Sequence, residues 1–193
     1  MTTLGLTPSQ TVGPFHHPCL LRDDARRNVL VQSETAGERI RIEGHVYDGD
    51  GAPVTDALVE IWQANSYGRY HHPADQRAVP VDPAFAGFGR SGTDETGRYW
   101  FETVKPGRVP YDGNRAQAPH ICVTVFARGL LNHLVTRLYF ADERANAEDP
   151  VLERVPEHRR ATLLAARAVV GGVVVYRFDV ILQGAGETAF FNV

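Results

Sequence analysis

Lysine is almost missing from this chain: Lys105 stands alone among the arginines. Basic residues form no extended cluster and the formal net charge is -3, which argues against a nucleic-acid partner. No stretch approaches the roughly 18 consecutive apolar residues that a membrane span needs. The opening Met1-Thr2-Thr3-Leu4-Gly5 lacks the charged region and apolar core of a secretory signal. Cysteine occurs only as Cys19 and Cys122, far apart and outside any CxxC pair, so no disulfide framework is expected. The cytoplasm is the expected compartment. A GxSxG elbow, a P-loop and a dinucleotide fingerprint are also missing.

The chain of 193 residues is 43% hydrophobic and 22% charged, the composition of a globular protein. That length fits one domain, residues 1–193, burying roughly 70% of its unfolded surface. Residues 1–18 read as an extended arm: between Leu6 and Pro18 lie three prolines and a glycine without periodicity. Ile40, Ile42, Gly44 and Val46 then alternate with Arg41, Glu43, His45 and Tyr47, a strand's period of two. Asp48-Gly49-Asp50-Gly51 is a turn, and Ala57 to Gln63 resumes as a strand. Tyr99, Phe101 and Thr103 share one face of another. His120 to Ala127 and Leu134 to Phe140 are two more, joined through Arg128-Gly129-Leu130. Val173 to Leu182 reads as a last strand, apolar enough to be buried on both faces. One helix is expected from Pro156 to about Ala168, with proline early and Gly171-Gly172 beyond its end. Short strands, turns and a long loop from Asn65 to Thr93 point to an all-β fold, a β-sandwich with long loops.

His120 and Cys122 are two apart, so on a strand they face one side. One strand could thus supply two metal ligands, with Tyr70 adding a phenolate from the long loop, since a hard cation stabilises that anion. The ordinary reading of the same residues is a hydrogen-bonded strand histidine and a small buried thiol. Asp48 and Asp50 fail as a calcium loop, because its sixth position is Pro53 and its twelfth Val59. The pairs His16-His17 and His71-His72 read as surface residues. Arg128 is an edge charge or an anchor for an anionic substrate.

Several stretches in fixed order carry a family likeness: Glu60-Ile-Trp-Gln-Ala-Asn65, Gly68-Arg-Tyr70, Gly87-Phe-Gly-Arg90, Gly97-Arg-Tyr-Trp-Phe-Glu-Thr103, Lys105-Pro-Gly107, Pro119-His-Ile121 and Thr136-Arg-Leu-Tyr-Phe140. Here the chain resembles the intradiol ring-cleavage dioxygenases, and within them the α chains of heteromeric members. The resemblance implies a β-sandwich and non-haem iron(III) chemistry that opens a catechol with O₂ between its hydroxyl-bearing carbons. Catalytic members use the tyrosine of GRY, a tyrosine after KPG-x and both histidines of HIH. Those positions hold Tyr70, Val109, His120 and Cys122 here, and an arginine before the histidines is replaced by Gln117. An aliphatic Val109 cannot ligate, and a thiolate suits ferric tyrosinate chemistry poorly.

The resemblance therefore implies a vestigial metal site and no catalytic residue in this chain. The Fe(III) would be held by a homologous β chain, and α/β pairs would assemble into larger oligomers. It further implies that the N-terminal arm walls the partner's pocket, with Thr11, Gly13, Pro14 and Arg128 near a small aromatic substrate. Two alternatives stand beside it: a self-sufficient homomeric dioxygenase with a variant Tyr70, His120 and Cys122 site, or a non-enzymatic binding or assembly module.

Overall fold

Alternation of apolar and polar residues produces most of the strands in the computed structural model, which describes residues 6–13, 15–23 and 25–192. In chain order the strands are β1 (Arg39–Tyr47), β2 (Leu58–Trp62), β3 (Phe88–Gly92), β4 (Arg98–Val104), β5 (Val109–Pro110), β6 (Ala116–Gln117), β7 (His120–Phe126), β8 (Leu134–Phe140), β9 (Leu164–Val170), β10 (Val173–Arg177) and β11 (Val180–Ile181). Two short helices, α1 (His16–Leu20) and α2 (Glu157–Arg160), complete the regular elements together with three 3-10 turns.

One antiparallel set runs β3-β2-β7-β8, and a second, mixed set runs β4-β1-β10-β9, in which β1 and β10 are parallel. β9 joins them: Leu164 and Ala165 pair in parallel with Tyr139 and Phe140 of β8, then Ala166 to Val170 pair with β10. The sheets close over one core of Ile40, Ile42 and Phe101 from one side and Ile61, Ile121, Val123, Leu138 and Phe140 from the other. Each large side chain so buried contributes roughly 1.5–3 kcal/mol of transfer free energy. β1 changes partner from β10 to β11 around Gly44, where a Cβ would sit 1.8 Å from the Phe178 carbonyl oxygen. Only glycine allows that approach, and the Tyr99 hydroxyl donates to the same oxygen at 2.5 Å.

Four expectations change. The helix expected over 156–168 is one turn at Glu157–Arg160, a 3-10 turn at Ala161–Leu163, and then strand β9. Gly171 and Gly172, read as a helix stop, have φ of 58° and 83° and make the two-residue hairpin turn between β9 and β10. The strand expected over 173–182 divides at Phe178 and Asp179, and Val173 at its start is exposed, so it is not buried on both faces. The arm is irregular over 6–13 but ends in α1, so it is not extended through residue 18. No helix of the described residues is long and apolar enough to cross a membrane.

Candidate functional site

The two loops that carry Tyr70 and Val109 are pressed together backbone to backbone. Gly68 has φ of 80°, and a Cβ there would meet the Arg108 carbonyl oxygen at 2.0 Å; one on Gly107 would meet the Gly68 nitrogen at 2.5 Å. Asn65 fastens the first loop, its side-chain oxygen accepting from the Tyr67 and Arg69 amides at 3.0 and 2.9 Å. Asp75 accepts from the Tyr70 amide at 2.9 Å and from Arg77 at 2.8 and 2.5 Å. The Arg77 guanidinium, with the Tyr70 and Arg77 amides, holds the Asp75 carboxyl well below the usual carboxylate range. This is a rigid loop built to present Tyr70.

Tyr70 stacks on Trp62 at 5.7 Å between ring centroids, and Trp62 stands opposite Cys122 in the β2–β7 register. On β7, His120, Cys122, Thr124 and Phe126 share a face while Ile121, Val123 and Val125 enter the core. His120 is buried, its Nδ1 bonded to the Ala118 carbonyl at 2.8 Å and its ring 5.9 Å from that of Tyr139. Val109 is buried and pairs with Gln117 across β5–β6. Two of the four vestigial positions, Tyr70 and Val109, line a cavity of about 550 Å³ together with Trp62 and Gln117, while His120 and Cys122 lie on β7, where Cys122 pairs with Trp62.

Reading the sequence alone misses Arg137. In the β7–β8 register it lies directly opposite Cys122, as Tyr139 lies opposite His120. Its Nη1 donates to Gln117 Oε1 at 2.7 Å and to the Tyr139 hydroxyl at 3.4 Å. Its charge reaches the whole group. Burial, followed by the guanidinium, lowers the His120 pKa to about 4, so the imidazole is neutral near pH 7. Burial drives the Tyr70 hydroxyl up to about 12, with the neighbouring Cys122 adding to the rise. Burial also raises the Cys122 thiol, against the pull of Arg137. The signal that could have found Arg137 is the alternation of Arg137 and Tyr139 along β8, once that strand is paired with β7.

These residues do not fit a ferric centre. One ligand position is aliphatic and one is a protonated thiol, a poor partner for ferric iron. Among the described residues, no group of three or more histidine, cysteine, aspartate or glutamate side chains is placed to hold a metal.

The expected substrate-side residues lie at another end of the fold. The Thr11 hydroxyl accepts from the Gly129 amide at 2.7 Å, which ties the arm to the β7–β8 turn. Ser9, Gln10 and Val12 meet Ala127, Leu131 and His133 around a cavity of about 250 Å³. Gly13 is exposed, and a Cβ there would find nothing within 4 Å. Pro14 lies outside the described residues. Arg128 is exposed and ion-pairs with Asp56. Asp48 caps its own turn, its Oδ1 accepting from Asp50 and Ala52 at 3.0 and 2.8 Å.

A family model described as Dioxygenase matches residues 13–184. The chain is 47% identical over its whole length to the protocatechuate 3,4-dioxygenase alpha chain of Burkholderia cepacia, which it also covers entirely. It is 38% identical to the beta chain of the same organism's enzyme, over 93% of this chain and 77% of that one. Among solved structures, the dioxygenase domain of a carbohydrate-binding fusion from Streptomyces sp. SirexAA-E matches 92% of this chain and 99% of its own, with a TM-score of 0.62 at 26% identity.

Proposed function

The chain belongs to the intradiol dioxygenase family, and on that premise we propose that it is the α subunit of a protocatechuate 3,4-dioxygenase, non-catalytic by itself. The observation that carries this reading is the ligand set, with aliphatic Val109 and the thiol of Cys122 at two of the four positions that would hold iron. The similarity to both alpha and beta chains supports a heteromer with a homologous β subunit that holds the Fe(III). In that assembly the Fe(III) would supply the activation of the catechol toward O₂, for cleavage of protocatechuate to 3-carboxy-cis,cis-muconate.

This chain's contribution lies at its arm. Thr11, Gly13 and Pro14 approach the substrate, and Arg128 supplies a guanidinium suited to a ring carboxylate. Gly13 is exposed and, among the described residues, nothing crowds it, which leaves its backbone open to approach by a partner. Arg128 must exchange Asp56 for substrate, and at an exposed ion pair that exchange costs little. We further propose a single domain over 1–193, assembly of α/β pairs into a higher oligomer, and a cytoplasmic location.

Iron content and visible absorption test the reading, first on this chain alone and then after co-expression with a β homologue. Colourless, iron-free protein alone and a coloured, active complex is the expected pair. Stoichiometric iron and catechol cleavage by this chain alone would overturn it in favour of a self-sufficient enzyme.

A further inference from the structure

We propose that the outer edge of β9 is a pairing surface for a second copy of this chain. Two β9 strands meet antiparallel about Ala168 and carry the sheet of one copy into the other. The contact needs neither iron nor a β chain, so it stands independently of the proposed catalytic role.

The first argument is the main chain. The Ala165 carbonyl accepts from the Ala141 amide at 3.1 Å, where β8 ends its pairing with β9. Val170 and Val173 flank the two-residue turn as its hydrogen-bonded pair, so Ala168 and Ala166 also bond toward β10. Arg167 and Val169 therefore turn their N–H and C=O groups the other way, where no backbone bond among the described residues meets them. The edges of β3, β4 and β8 are covered instead. Arg27 exchanges both backbone bonds with Arg90, Asn28 and Leu30 bond to Glu102, and Phe191 bonds to Val135. An uncovered edge is normally blunted by proline or outward charge. Residues 166–170 hold no proline, and their one charge, Arg167, is turned onto Asp142 of its own chain at 3.4 Å.

The second argument is self-complementarity, and it selects a second copy as the occupant. Centred on Ala168, the register sets Arg167 opposite Val169 of the other copy and Ala166 opposite Val170. Each pairing of Arg167 with Val169 joins residues whose main-chain groups point outward, so each exchanges both N–H···O bonds. No like charges stand opposite one another, and a small alanine lies on the two-fold axis, where facing residues approach most closely. Val169 and Val170, 59% and 51% exposed, are the large apolar side chains that the contact covers. A contact of this kind uses the same edge on both copies, so it closes as a dimer and does not propagate.

Ala168→Cys tests the register, since facing residues of a non-hydrogen-bonded antiparallel pair lie about 4.5 Å apart at Cα, within disulfide range. In a Cys19→Ser background it should give mostly disulfide-linked dimer on mild oxidation, whereas Val170→Cys should give little. Sedimentation of the full chain should show a concentration-dependent dimer. Val169→Pro should weaken it about ten-fold or more, because it deletes a donor that points away from β10. A chain still monomeric at about 0.5 mM, equal cross-linking at 168 and 170, or a dimer untouched by Val169→Pro would each overturn the proposal. In the complex co-expressed with a β homologue, the Ala168→Cys link should again join two copies of this chain. Failure to link there would put the β homologue on this edge and would also overturn it. The cysteine result decides the matter even if the proline variant does not fold.

Discussion

His120 is held neutral by two effects acting together, burial and the nearby guanidinium, and this has a consequence for stability. The unfolded chain takes up a proton near pH 6.5, the folded chain only near pH 4. Between those values the unfolded state binds more protons, so stability falls as the pH falls through that window. The loss from this residue is about 2 kcal/mol between pH 7 and 5. Urea unfolding at both pH values should register it in the unaltered chain and a smaller loss in His120→Gln; equal losses would assign the effect elsewhere. Arg137 sets a second expectation. The double change Val109→Tyr and Cys122→His restores the ligand types, yet the guanidinium facing residue 122 still opposes a trivalent ion. The double variant should therefore stay iron-free, while adding Arg137→Gln should permit iron uptake with a tyrosinate-to-iron colour. Iron bound equally by both would show that Arg137 does not guard the site.

Among the elements, the strands that border one buried face were legible because their alternation is local information. β1, β4 and β7 fall where buried residues recur every second position, β2 and β8 fall on short, mostly apolar runs, and the shared face of His120 and Cys122 follows from the alternation in β7. β9 was not legible. Leu164-Ala-Ala-Arg-Ala-Val-Val170 has no period of two, and its pairing with both β8 and β10 supplies what local propensity does not. The glycine pair has two uses, helix stop and hairpin turn, and the valines symmetric about it carried the better signal. Arg137 was hidden for another reason: its role depends on register across two strands, which no single strand encodes. Lys105 likewise had no reading until Glu143, 38 positions away in sequence, was found 3.1 Å from its ammonium. The hairpin turn is testable. A Cβ on Gly172 meets nothing within 4 Å, so Gly172→Ala costs only its strained backbone, roughly 1–2 kcal/mol. Gly44→Ala, whose Cβ would collide with the Phe178 oxygen, should cost clearly more. Denaturation midpoints that rank the two variants the other way would contradict the β1–β11 crossover geometry.

At the scale of the whole molecule, the arm and the core separate by how much each holds the other. The core is closed by two sheets and a shared apolar interior, whereas the arm over 6–13 is largely exposed and meets the body at the β7–β8 turn. Segments so lightly attached contribute little to global stability and are free to serve a neighbouring chain. Deleting residues 1–14 should leave the thermal midpoint of this chain within about 3 °C, since surface changes of this kind fall within roughly 0.5 kcal/mol. The same deletion in the co-expressed complex should lower kcat/KM for protocatechuate by about ten-fold or more, equivalent to about 1.4 kcal/mol of lost transition-state contact. Iron content and colour should be unchanged if the arm walls the pocket without ligating the metal. A complex with unaltered kinetics would remove the arm from the substrate pocket. A complex that loses its iron would instead make the arm part of the assembly contact, and Arg128→Gln separates those outcomes. That side chain is exposed and, among the described residues, paired with Asp56 alone, so its loss should raise KM for the acid and spare neutral catechol.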